Sequence, residues 1–190
     1  MSDPAPTPDE MAVFRRALVE LRKLRSEVET LKAARAEPVA VVGLGCRFPG
    51  GGEGPAAFWE SLLAGTDGII EVPPDRWDAS AWYDPDPGAA NRMYIRRGGF
   101  LPQVDLFDAQ FFGISPREAA GMDPQQRLLL EVTWEALEHA GIPGDGLVGS
   151  PVGVYLGIMG NDYNQVVDLA DAHAVTGATY SVAAGRLSFI

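Results

Sequence analysis

From Phe111 to Gly141 the chain reads FFGISPREAAGMDPQQRLLLEVTWEALEHAG, setting two helix starts, a long amphipathic helix and a helix stop end to end. Ser115-Pro116-Arg117-Glu118 is a capping box with proline at the first helical position: the serine oxygen accepts from the Glu118 N–H while the glutamate reaches back. Asp123-Pro124-Gln125-Gln126 repeats that logic eight residues later. Leu128, Leu129, Val132, Ala136 and Leu137 then recur at steps that predict one inward face, and Gly141 stands where a left-handed residue ends the helix. The prolines, serine, aspartate and glutamines of this run are accounted for by starting helices and are assigned to structure. A helix so bounded belongs in the core of a folded body, and the rest of the chain must pack around it.

At 190 residues and 46% apolar content, the chain has material for one ordinary domain and an appendage. Its net charge of −11 argues against a nucleic-acid or anionic-membrane surface, either of which needs a concentrated basic patch. Residues 1–37 carry seven basic and seven acidic side chains, so the whole acidic excess falls after Glu37. Cys46 is the single cysteine; it cannot form an internal disulfide, and with only two histidines it cannot complete a conventional zinc site. No metal is expected, and a reducing, cytoplasmic setting fits. No apolar run approaches the roughly 18 residues of a membrane span. Asp3, Asp9 and Glu10 deny the N-terminus the layout of a signal peptide. A soluble, unexported protein with no membrane partner is expected.

Residues 1–8 hold three prolines and little apolar mass, and are expected to form a disordered tail. Over residues 9–37, Phe14, Ala17, Leu21, Leu24, Val28 and Leu31 alternate steps of three and four, the spacing of a coiled-coil seam, with charges on the other faces. Two arrangements are open to such a helix: folding back on its own domain, or pairing with a partner. Two and a half heptads with polar outer faces are marginal alone, which favours a dimeric, partner-facing coiled coil. Glu37-Pro38 ends the helix. Val39 to Val42 reads as a short buried strand, and Val152 to Ile158, alternating apolar residues with glycine, as another. Pro55 to Ala64 predicts a helix with Phe58, Leu62 and Leu63 inward and Gly65 as its cap. Asp67 to Arg97, rich in proline and aspartate, predicts an irregular surface excursion tacked down by Trp77, Trp82, Tyr83 and Tyr94. Its Arg92, Arg96 and Arg97 are expected to satisfy nearby aspartates. Asn161 to Asp168 is expected as a loop or short helix, and Tyr180 to Ile190, rich in small residues, as a closely packed helix.

The sequence lacks the usual catalytic constellations: there is no G-x-S-x-G, H-E-x-x-H, P-loop or C-x-x-C. Gly43-Leu44-Gly45 follows a predicted strand, but Phe48 stands where a dinucleotide fingerprint needs its third glycine, so no nucleotide cofactor is expected. Cys46 beside Arg47 reads first as a small core residue. His139 falls in the last turn of the central helix, where a protonated imidazole would complement the dipole, and His173 in a loop with no nucleophile beside it. No catalytic or cofactor-binding residue is assigned.

Pro38-Val39-Ala40-Val41-Val42-Gly43-Leu44-Gly45-Cys46-Arg47-Phe48-Pro49-Gly50-Gly51 resembles the opening of the ketosynthase domain of modular type I polyketide synthases. Phe58-Trp59, Pro74 to Asp78, Tyr83 to Pro87, Gly98 to Leu101, Phe107 to Ala119 and Met122 to Arg127 are similar to that family's running motifs, in the same order. Val152 to Gly157 and Ser181 to Phe189 match as well, so the resemblance spans residues 38–190. It implies an α/β chain, the N-terminal part of a thiolase-like layered fold, preceded by what looks like an N-terminal docking coiled coil. The implied partners are a second copy of the chain, the C-terminal docking segment of an upstream synthase subunit, and an acyl carrier protein bearing phosphopantetheine.

The implied reaction is decarboxylative condensation of carrier-bound acyl units. In that family the nucleophilic cysteine lies in a T-A-C-S-S type motif shortly downstream of the stretch matching Ser181 to Phe189. Cys46, His139 and His173 match none of the family's catalytic motifs. The chain alone is therefore expected to be inactive, and an alternative for it in isolation is a non-catalytic docking or dimerisation module.

Overall fold

The structure is a computed structural model that describes residues 8–167 and 172–189. It divides into two units, one reaching to residue 41 and one starting at residue 42. The first is a single helix, α1 (Pro8–Ala36), which starts at a proline and ends just before Glu37-Pro38, the dipeptide that cannot continue it. Of the expected tail, residues 1–7 lie outside the described residues, and Pro8 belongs to α1.

The second unit is built on helices. Two short strands, β1 (Arg47–Phe48) and β2 (Gly52–Glu53), pair antiparallel and lead into α2 (Gly54–Ala64). Gly65 ends α2 at φ 63°, as its sequence position predicts. Phe58 packs on Phe48, ring centroids 4.3 Å apart. Leu62 and Leu63 do not face inward; they are 56% and 69% exposed. The β1–β2 side covers one face of α2, and Trp59, Leu62 and Leu63 are left exposed.

Asp67 to Arg97 is the irregular excursion expected, with a closed neck. Here β3 (Ile69–Glu71) pairs antiparallel with β4 (Arg97–Gly99), so both ends of the excursion share one hydrogen-bonded ladder. Trp77 meets Phe100 edge to face at 6.0 Å, while Trp82 and Tyr94 are both 56% exposed. The arginines are held locally. Arg92 donates to the Ala81 carbonyl; Arg96 pairs with Glu71 at 3.3 Å and lies over the Tyr83 ring; Arg97 donates to the Ile69 carbonyl at 2.6 Å.

The centre of the unit is α3 (Pro116–Gly121), α4 (Pro124–Ala140), α5 (Ala172–Gly177) and α6 (Tyr180–Phe189). Ser115 Oγ accepts from the Glu118 N–H at 3.2 Å, and Asp123 Oδ1 accepts from the Gln125 N–H at 2.8 Å, so each helix start has its side-chain cap, while the Glu118 carboxylate, expected to reach back, turns to Arg186 instead. Gly141 closes α4 at φ 67°. The core holds Ile114, Met122 and Leu130, with Phe107, Phe112 and Leu187 packed against them. Leu130 is the deeply buried leucine of α4, whereas the stripe Leu128, Leu129, Val132, Ala136 and Leu137 is only half-buried. Elements pack around most of the α4 circumference, so burial is spread over several faces and no single stripe carries it.

Two predicted strands are absent. Val39 to Val42 and Val152 to Ile158 have no regular secondary structure and no strand partner among the described residues, and Val39 and Tyr155 are each 93% exposed. Apolar composition supplies side chains for a buried strand, but a strand exists only where a neighbouring edge takes its N–H and C=O groups. His173 also departs from expectation: it lies in α5, not in a loop. Asp168, Asp171 and Ile190 lie outside the described residues.

Candidate functional site

In the first unit, the six predicted seam residues line one side of α1. Phe14 (61%), Leu21 (56%), Leu24 (49%), Val28 (47%) and Leu31 (68%) are exposed, as is Ala17. A helix of this kind gains little from burial by itself, so its apolar stripe is surface available to another helix.

In the second unit, the thiol and the imidazoles do not converge on a nucleophile. His139 Nδ1 accepts from the Leu44 N–H at 3.0 Å. The role of His139 is structural, as expected, and it is exercised through this bond: the imidazole pins the 43–45 segment to α4. The two glycines beside it allow the close approach. A Cβ on Gly43 would strike the Ala136 carbonyl oxygen, and one on Gly45 that of Val132. Cys46 is half-buried, and its backbone carbonyl accepts from the Gly54 N–H at 3.0 Å and from Arg47 Nη1 at 3.1 Å. Among the described residues no group of three His, Cys, Asp or Glu side chains could hold a metal ion.

Arg47 forks onto both carboxylate oxygens of Glu135, with Nη1 to Oε2 at 2.6 Å, which ties the Cys46–Phe48 loop to α4. One turn earlier, burial pushes the Glu131 carboxyl above its ordinary value of 4.5, against the opposing pull of an Asp108 backbone bond and the Arg47 charge. The folded chain therefore holds this proton more firmly than the unfolded one. The resulting stabilisation is present below pH 4.5 and is lost as pH rises through the raised value. Glu131→Gln is expected to match the parent at pH 4 and exceed it in stability at pH 7, as read by denaturant midpoints at the two pH values.

The most connected polar cluster joins α3, α4 and α6. Arg186 Nη1 donates to Glu118 Oε1 at 2.6 Å and its Nε to Gln126 Oε1 at 3.1 Å. Gln126 Nε2 in turn donates to the Gly177 carbonyl at 2.6 Å. Arg127 is buried on carbonyl and phenol oxygens: Nε and Nη2 reach the Met122 carbonyl at 3.0 and 2.8 Å, and Nη2 reaches Tyr163 Oη at 2.9 Å. Glu118 and Gln126 therefore link elements; capping alone does not describe them. Sequence reasoning missed this, and the available signal was a Gln-Arg pair opening a helix whose next residues are three leucines.

A groove of about 710 Å³ lies between α4, residues 147–156 and the end of α6, lined by Phe112, Leu130, Trp134, Leu137, Leu156 and Leu187 among others. Its walls are mostly apolar and include residues 152–156.

Residues 36–190 match the family model of the beta-ketoacyl synthase N-terminal domain. The chain belongs to the beta-ketoacyl synthase family. One component polypeptide of the phenolphthiocerol/phthiocerol polyketide synthase of Mycobacterium tuberculosis is 55% identical over 163 residues, covering 84% of this chain and 11% of the relative. Another component of the same synthase is 47% identical over 195 residues, covering 98% of this chain, α1 included, and 9% of the relative. Among solved ketosynthases, the oxazolomycin ketosynthase domain of Streptomyces albus superposes with a TM-score of 0.69 at 38% identity, over 78% of this chain and 26% of that one. The ketosynthase from module 6 of the bacillaene synthase of Bacillus subtilis gives 0.69 at 35% identity, over 79% and 24%.

The ketosynthase chain thus spans about a tenth of the curated relatives it matches and about a quarter of the solved domains. Its fold is the N-terminal region of the thiolase-like α/β ketosynthase, homologous to polyketide synthase ketosynthases. No helix among the described residues is long and apolar enough to cross a membrane.

Proposed function

We propose that residues 38–189 form the first part of a ketosynthase in a modular polyketide synthase, and that α1 is its docking helix. The observation that carries the first half is the continuous ketosynthase match over residues 36–190. In this reading the complete domain takes an acyl group from the phosphopantetheine thiol of a carrier protein. It condenses that group with an extender unit that loses carbon dioxide, in a cytoplasmic assembly. The residues described here supply scaffold: α4, the Arg186 cluster and the groove that further polypeptide would fill. This reading gives Cys46, His139 and His173 no chemical role, because none of the three matches the family's catalytic motifs. Grafting residues 42–189 into the matching place of a related ketosynthase tests this: acyl loading should survive.

The docking half is supported by the exposed stripe on α1. The stripe pairs with a second copy, and the resulting dimer receives the C-terminal segment of an upstream synthase polypeptide. Leu21→Glu with Leu24→Glu puts two charges into a seam that must be dry. The dimerisation affinity read by sedimentation and the affinity for the upstream segment should both fall by more than tenfold, since burying an unpaired charge costs several kcal/mol. Unchanged sedimentation and capture would remove the docking reading and leave the ketosynthase reading intact.

A further inference from the structure

We propose that His139 is a pH-sensitive latch on residues 42–45: the neutral imidazole holds this segment to α4, and a protonated one releases it. Val42-Gly43-Leu44-Gly45 opens the second unit with no titratable side chain of its own. Val42 and Leu44 are 64% and 53% exposed, and the glycines have no side chain to bury. Among the described residues the four make one hydrogen bond, from the Leu44 N–H to His139 Nδ1 at 3.0 Å. Gly43 and Gly45 do lie against the Ala136 and Val132 carbonyls of α4, but that close fit has no direction of its own. The directional anchor is a single ring nitrogen.

A carbonyl acceptor would keep this anchor at every pH. An imidazole nitrogen accepts only while it carries no proton, because protonation turns both ring nitrogens into donors. Two donors then face each other, and the Leu44 N–H must turn to water. His139 is exposed, so a proton reaches it from solvent without crossing the core. Histidine changes its charge between about pH 5 and pH 8, a range in which the peptide group does not titrate. The last-turn carbonyls of α4 favour the charged ring once it has formed.

Other charges border the latch. On α4, Glu138 adjoins His139, and Glu135 stands one turn before it on the same ridge. From the Cys46–Phe48 loop, Arg47 takes both carboxylate oxygens of Glu135. One turn further back, Glu131 lies within electrostatic reach of Arg47 and Asp108, and Glu53 of β2 within reach of Arg47. Burial holds the Glu131 proton above the ordinary value, which makes this carboxyl the competing titration. Its replacement by an amide separates the two.

The test reads the Leu44 amide of the full 190-residue chain by solvent-exchange NMR at pH 8 and pH 5. Each rate is divided by that of an unprotected amide at the same pH. Protection should fall by about fivefold or more at pH 5, the worth of one hydrogen bond. His139→Asn sets a carbonyl oxygen in the place of Nδ1, an acceptor that does not titrate, and should keep Leu44 protected at both pH values. His139→Ala should leave it unprotected at both, and Glu131→Gln should respond as the parent does. Equal protection of the parent at the two pH values, or none at pH 8, would overturn the latch. So would a loss at pH 5 that His139→Asn shares, or one that Glu131→Gln abolishes.

Discussion

Gly177→Ala is expected to cost the second unit about 3 kcal/mol or more, the upper end of what overpacking does. A Cβ at this position would strike the Gly121 carbonyl oxygen and come within 2.7 Å of both the Gly121 carbonyl carbon and the Met122 Cα. These are backbone atoms with no rotamer to escape into. Retreat is closed as well, because the Gly177 carbonyl accepts from the Asp123 N–H at 3.1 Å and from Gln126 Nε2 at 2.6 Å. Gly121 on α3 faces the same crossing, with the Ala174 backbone at 3.0 Å from its virtual Cβ. Gly43→Ala provides the contrast. It would meet the Ala136 carbonyl oxygen and, at 2.8 Å, the Ala140 Cβ. Its own segment, however, follows exposed Val41 and Val42 and can shift outward at the expense of the single Leu44–His139 bond, so a smaller loss of about 1–2 kcal/mol is expected. Amide exchange along α3 and α5 separates the two outcomes: protection should collapse for Gly177→Ala and persist for Gly43→Ala.

Arg186→Met is the second large effect. Arg186 and Glu118 are 11% and 27% exposed, and the arginine serves Gln126 at the same time. Removing it leaves a largely buried carboxylate and an amide oxygen without their donor, for which about 3 kcal/mol is expected. The same physics predicts rescue. Glu118→Gln in the Arg186→Met background removes the stranded charge and should recover at least half of the loss, measured as denaturant midpoints of the parent, single and double variants. No recovery would mean that the arginine acts through packing of its stem and not through the ion pair.

What the sequence disclosed and what it withheld divide along the range of the interaction. Ser115, Asp123, Gly65 and Gly141 act on residues within one turn, so the start of α3, both ends of α4 and the stop of α2 were readable from neighbouring residues. So was the end of α1 at Glu37-Pro38. Partners far along the chain were not. The β3–β4 neck joins Ile69 to Gly99, and the Gln126–Gly177 bond spans 51 residues, with no local pattern announcing either. Val39 to Val42 and Val152 to Ile158 show the converse. Their composition is that of strands, but pairing depends on an edge that the described residues do not provide. His139 was placed correctly on α4, yet its use as an acceptor for Leu44 depends on a segment 95 residues away.

The central claim, that this chain supplies ketosynthase scaffold and not its nucleophile, is tested most directly by intact-mass measurement after incubation with an acyl thioester. Three samples suffice: the chain alone, the graft of residues 42–189 into a related ketosynthase, and that graft with Cys46→Ser. The predicted result is no adduct on the chain alone and one acyl group on each graft, with or without Cys46. A stable acyl adduct at Cys46 of the chain alone, or loss of loading when Cys46 is replaced in the graft, would contradict it.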